Sequence, residues 1–79
     1  MTLKELRKAK GLKLRKVAAV VGVTAQTVYE WENGRRKPKL ENVIKLAKIY
    51  KVKPLDILAM VNGLTVDELT KKLRNIKSN

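Results

Sequence analysis

The stretch Val17–Gly34, VAAVVGVTAQTVYEWENG, holds no lysine or arginine, although the chain carries 19 of them against 7 acidic residues. Lys13, Arg15 and Lys16 come just before it, and Arg35, Arg36, Lys37 and Lys39 just after. Cations are thus placed at the two rims of a neutral polar segment that contains Gln26, Thr27, Tyr29 and Glu30. Such a layout suits a polyanion read in two ways: rim cations meet phosphates and set the register, while neutral groups between them meet base edges and specify sequence. A carboxamide such as Gln26 can form a two-pronged contact to N6 and N7 of adenine, worth about 1–3 kcal/mol of discrimination. Ala25 and the Thr27 methyl suit thymine methyls, and Tyr29 can reach a phosphate or sugar. Glu30 either accepts from cytosine N4 or is a solvated charge that filters against wrong sites.

Two short helices must hold these groups. An apolar run closes on Gly22, Val23 and Thr24 reopen the chain, and a second helical pattern stops at Asn33-Gly34, so the turn between the helices has about three to four residues. If the second helix spans residues 25–33, about 100° per residue puts Val28, Trp31 and Glu32 on one side and Gln26, Glu30 and Asn33 on the other. One face can pack while the opposite face reads. Thr24 is placed to cap the second helix with its hydroxyl, and the same group can also touch a phosphate.

The remainder of the chain reads as further helices. Thr2 and Glu5 have the spacing of a capping box, and helix 1 runs to about Lys10 with Leu3, Leu6 and Ala9 or Lys10 on successive turns, before Gly11. Helix 2 repeats Leu14, Val17, Ala18 and Val21. Helix 4, after Pro38, is expected to bury Leu40, Val43, Ile44, Ala47 and Tyr50, and helix 5, opened by Pro54, to offer Leu55, Ile57, Leu58 and Val61. Thr65 and Glu68 repeat the capping-box spacing before a sixth helix with the stripe Val66, Leu69, Leu73 and Ile76. That stripe has two readings, packing back on the core or a self-association seam. All the glycines fall between helical patterns and no stretch alternates with period two, so the fold class is all-α.

Composition narrows the function. A chain of 79 residues forms one modest core and leaves little depth for a pocket. Its net charge of +12 favours an anionic partner, with nucleic acid ahead of an anionic membrane. Without His or Cys, the usual zinc and copper ligands and a conventional nucleophile–base pair are missing, so no metal, no cofactor and no catalysis are expected. The longest apolar run, Val17–Val23, is far short of the about 20 residues that cross a bilayer, and it lies inside a periodic pattern, unlike a signal peptide. A cytoplasmic, nucleoid-associated protein is the expectation.

The residues also carry a family resemblance. Gly11, Val17-Ala18, Gly22-Val23-Thr24, Gln26-Thr27-Val28, Trp31-Glu32-Asn33-Gly34, Arg36-Lys37-Pro38, Leu46-Ala47, Val52 and Leu55-Asp56 resemble the DNA-binding domain of the phage-repressor and Cro type. The resemblance covers residues 3 to about 61. It implies a five-helix domain over residues 1–62 with the helix-turn-helix as helices 2 and 3, and a C-terminal helix and tail over 63–79 for packing or dimerisation. It further implies a sequence-specific regulator of double-stranded DNA, a repressor, with helix 2 across the backbone and helix 3 in the major groove.

On that reading Ala25, Gln26, Thr27, Tyr29 and Glu30 face bases, while Lys13, Arg15, Thr24, Asn33, Arg35, Arg36, Lys37 and Lys39 face phosphates, joined by the amides around Gly34. Arg7 and Glu32 form a structural ion pair between helices 1 and 3. Val66, Leu69, Leu73 and Ile76 are the dimerisation candidates, since one module covers only about 600–1,000 Å² of DNA and gains specificity as a homodimer. The chain departs from the family at Leu14, where a phosphate-donating Gln is common, and at Lys39 and Lys53, where a Ser or Thr cap is common. Two alternatives stand beside this reading: an antitoxin-like protein holding a partner through the last helix, and a non-specific binder of RNA or an anionic surface.

Overall fold

The computed structural model describes residues 1–77, which form six helices: α1 Leu3–Ala9, α2 Leu14–Val21, α3 Ala25–Glu32, α4 Leu40–Tyr50, α5 Pro54–Val61 and α6 Val66–Lys77. No strand occurs among the described residues. Local chemistry sets most of the boundaries. Thr2 Oγ1 accepts from the Glu5 amide at 3.1 Å while Glu5 Oε1 accepts from the Thr2 amide at 2.8 Å, which satisfies two free donors at the start of α1. Thr65 and Glu68 do the same before α6, at 3.1 and 2.8 Å. Gly22 ends α2 with φ of 89°, a conformation that costs glycine nothing, and the Gly22 and Val23 amides both return to the Ala18 carbonyl.

The core is centred on Val17, Val21, Val28, Val43, Leu46, Tyr50 and Ile57, each almost fully excluded from solvent. Helix α2 packs on α3 and α4, α4 on α5, and α1 closes the assembly against α3 and α5. Trp31, from α3, belongs to the same cluster. The two helices of the helix-turn-helix therefore share one core with α4, so α3 cannot tilt without disturbing it.

One expectation about a core face needs correction. In α4, Leu40 and Ile44 are 63% and 39% exposed, and Leu46 at 1% is buried in their place. The face is set by α2 and α5 clamping Val43, Leu46, Ala47 and Tyr50; Ile44 lies about 100° round from Val43, and Leu40 is in the first turn. In α1, Ala9 and Lys10 are exposed, and the third buried position is Arg7, whose charge is matched by Glu32. In α5 only Ile57 and Ala59 are fully buried, while Leu55, Leu58 and Val61 are half-buried.

The α4 and α5 starts differ from each other. Lys39 makes no side-chain cap, whereas the Asp56 carboxylate of α5 accepts from the Lys53 amide at 2.9 Å, and Pro54 needs no acceptor for a missing N–H. Helix α5 is thus held firmly despite lacking a Ser or Thr cap. Helix α6 packs against α5, with Val66 and Leu69 half-buried, yet Leu73 and Ile76 remain 47% and 70% exposed. Its first half folds back on the domain; its second half does not.

Candidate nucleic-acid interface

The anchor of α3 is its inner face. Val28 and Trp31, three residues apart, are 1% and 5% exposed, so the outer face is turned to solvent by necessity. Gln26 and Asn33 are exposed there, as is Tyr29 at 42%. At its N-terminus Thr24 Oγ1 accepts from the Thr27 amide at 3.1 Å and shares a 3.0 Å hydrogen bond with Thr27 Oγ1. This cap fixes the first turn, which carries Gln26, so the carboxamide projects from an ordered backbone. Ala25 is half-buried and packs against the core, which leaves its methyl less open to a thymine than the sequence suggested.

The C-terminal end of α3 is fastened from two directions. Arg7 donates to both Glu32 oxygens, from Nε at 2.6 Å and Nη2 at 3.2 Å, and its Nη1 donates to the Leu12 carbonyl at 3.0 Å. The Glu32 hydrogen bond holds the Arg7 guanidinium above its ordinary pKa. The second fastening is backbone: the Gly34 amide returns to the Trp31 carbonyl, and the Arg35 and Arg36 amides both return to the Glu30 carbonyl. These amides satisfy carbonyls left over at the end of α3, so the expectation that the amides around Gly34 serve phosphate is corrected. Asn33 Nδ2 similarly donates to the Tyr29 carbonyl at 2.8 Å, which leaves one N–H on that nitrogen for another acceptor.

The basic residues do not act alike. Lys13 and Arg15 are exposed at the start of α2, and Leu14 between them packs towards the core without a polar group to offer. Arg36 lies 3.6 Å from the Glu30 carboxylate, with side-chain exposures of 65% and 26%. At that exposure the pair contributes no more than about 1 kcal/mol, but it screens a carboxylate that would otherwise repel phosphates. Glu30 is therefore engaged, and a contact to cytosine N4 requires it to leave or share Arg36. Lys37 Nζ donates to Asn62 Oδ1 at 2.7 Å, next to the end of α5.

Arg36, Lys37 and Lys39 line one open cleft of about 670 Å³, together with Gly22, Val23, Thr27 and Trp31 of the helix-turn-helix. Glu41, Asn42 and Lys45 also line that cleft and were not singled out from sequence. Lys45 Nζ donates to the Val21 carbonyl at 3.3 Å, so α4 reaches the C-terminal end of α2. The spacing of Lys39, Asn42 and Lys45, three residues apart on a helix, was the available signal. Four cations against the single carboxylate of Glu41 give this cleft a strong preference for anions beside the exposed face of α3.

This geometry defines a helix-turn-helix protein whose exposed α3 face carries no cation and is bordered by cations. The family profile described as Helix-turn-helix matches residues 3–58, and the chain belongs to that family, of the phage-repressor and Cro type. It is 39% identical over 77 residues to the cryptic phage CTXphi transcriptional repressor RstR of Vibrio cholerae, covering 96% of this chain and 68% of that protein. It is also 34% identical over 56 residues to the HTH-type transcriptional regulator DdrOP3 of Deinococcus deserti, covering 71% of this chain and 43% of that protein. No solved structure matches the chain significantly.

Proposed function

We propose that this protein is a sequence-specific, double-stranded-DNA-binding transcriptional repressor that acts without catalysis or cofactor. Helix α3 enters the major groove, Gln26 reads adenine, and Thr27 and Tyr29 contact neighbouring base, sugar or phosphate atoms. Lys13 and Arg15 on one rim, and Arg35, Arg36, Lys39 and the free N–H of Asn33 on the other, bind the flanking phosphates. Two copies occupy two half-sites about 34 Å apart or a multiple of it, so that the second copy supplies the specificity one module lacks. Bound in the cytoplasm at the nucleoid, the pair represses by occupying its operator.

The observation that carries this reading is the fixed exposure of Gln26 on a helix with no cation of its own, with exposed Lys13 and Arg15 before it and Arg36 and Lys39 after it. The name of the Vibrio repressor supports repression over activation. A non-specific polyanion binder has no use for a neutral face at the centre of its basic surface. Selection of bound sequences from random duplexes tests the proposal. Enrichment of an inverted repeat with adenine at a fixed place in each half is the expected result. Recovery of unenriched duplexes, or equal affinity for RNA, contradicts it.

A further inference from the structure

The loop from α3 to α4 carries the cations of one rim, and its two halves are held differently. In the first half, the Arg35 and Arg36 amides return to the Glu30 carbonyl, which stitches those residues to the end of α3. In the second half, residues 37–39, no backbone amide donates to another group among the described residues, and Pro38 has no N–H to give. What reaches out from this half is the Lys37 side chain, whose Nζ donates to Asn62 Oδ1 at 2.7 Å.

The acceptor sits on a firm part of the molecule. Asn62 closes α5: its amide returns to the Leu58 and Ala59 carbonyls, both at 3.2 Å, and its Nδ2 donates to the Leu58 carbonyl at 2.8 Å. That last bond fixes the carboxamide with its oxygen turned towards Lys37, because a carbonyl can receive only the N–H end. Helix α5 is in turn anchored by the buried Ile57 and Ala59. No residue of α5 lines the cationic cleft, so Asn62 has no phosphate to meet there.

We propose that Lys37 is a strut and not a phosphate ligand, and that Asn62 is a positioning residue for DNA binding although it lies outside the cleft. The Lys37–Asn62 bond holds the second half of the loop in the shape that presents the neighbouring Arg36 and Lys39 to phosphates. Without it the loop is ordered only when DNA binds, and that cost lowers the affinity for every duplex alike. A single charged hydrogen bond in an exposed place limits the loss to about two- to tenfold. The inference rests on the phosphate-binding rim of the proposed function and is independent of which base Gln26 reads.

Salt titrations of the full chain with a random duplex test it. Lys37 and Asn62 are both exposed, so substitutions there keep the fold. Asn62→Leu removes the acceptor without changing the charge; it should weaken binding about two- to tenfold and leave the slope of log affinity against log salt unchanged. Asn62→Asp keeps an oxygen for Lys37 and should stay within about twofold of the wild type. Lys37→Met should reproduce the loss of Asn62→Leu, and combining the two should add nothing. A slope lowered by about 0.9 in Lys37→Met makes Lys37 a phosphate ligand and overturns the proposal. An Asn62→Leu affinity equal to the wild type, or an Asn62→Asp affinity as low as that of Asn62→Leu, overturns it too.

Nitrogen-15 relaxation of the free protein separates this inference from the DNA reading. The Lys37 and Lys39 amides should have order parameters of about 0.85 in the wild type and below about 0.6 in Asn62→Leu. A loop equally stiff in both proteins rejects the strut whatever the duplexes do. A loop that loosens in a protein that binds no duplex leaves the strut standing and rejects the DNA reading.

Discussion

Removing the Glu32 carboxylate isolates the buried Arg7 charge. The Arg7 and Glu32 side chains are 9% and 3% exposed, and Glu32 accepts two of the three hydrogen bonds that the Arg7 guanidinium makes, at 2.6 and 3.2 Å. Only the 3.0 Å bond to the Leu12 carbonyl survives in Glu32→Ala. Arginine cannot shed its proton, so the variant retains a charge with two unmatched donors in a site that water scarcely reaches. Breaking such a pair from one side costs about 3–5 kcal/mol. With unfolding entropy of about 2.1 cal/mol/K per residue, a chain of this length loses about 6 °C per kcal/mol, so the melting temperature should fall by about 18–30 °C. Thermal melts followed by circular dichroism measure this. The pair Arg7→Met with Glu32→Leu, which removes both charges, should recover most of the loss. A drop of less than about 6 °C for Glu32→Ala, or no recovery in the double variant, would refute the claim that this bridge fastens α1 to the end of α3.

Arg36→Ala should weaken binding to all duplexes alike and reduce the slope of log affinity against log salt by about 0.9, as loss of one phosphate contact does; salt titrations with specific and random duplexes check this. Lys45→Ala should lower the same slope by a similar amount if the cleft between α2, α3 and α4 takes a phosphate, and an unchanged slope removes Lys45 from the interface. Burial of Tyr50 pushes its phenol up to about 12 from 10.0. The folded state thus resists ionisation that the unfolded chain accepts, so stability is fully present below pH about 10 and is lost as pH rises towards about 12, by on the order of 2–3 kcal/mol. Urea midpoints between those pH values, compared with Tyr50→Phe, which should lose the Tyr50 part of the alkaline decline, measure it.

The parts legible in the sequence are those written in consecutive residues. Gly22 and Thr24 announce the turn because a left-handed residue and a hydroxyl cap are local devices, and Val28 with Trp31 gives the inner face of α3 by spacing alone. The parts that were not legible depend on what is brought together in space. Lys51 ends α4 with φ of 57°, although nothing in its type suggests a left-handed residue. Leu40 and Ile44 look like core on a helical wheel, but exposure depends on where α2 and α5 touch α4. The Glu30–Arg36 pair required the chain after α3 to fold back, which Glu30 alone does not reveal. Lys45 enters the cationic cleft only because α4 packs beside the end of α2. The stripe on α6 was ambiguous by nature, since half of it packs on α5 and half is free.

The central claim is that Gln26 reads adenine from the exposed face of α3. Its most direct measurement is the affinity of the wild type and of Gln26→Ala for a selected operator, for the same duplex with 7-deazaadenine at the enriched position, and for a random duplex. Gln26→Ala should lose about 1–3 kcal/mol on the operator and nothing on the random duplex, and the modified base should weaken the wild type but not the variant. Equal losses on operator and random duplex, or a modified base that weakens both proteins alike, would contradict the account.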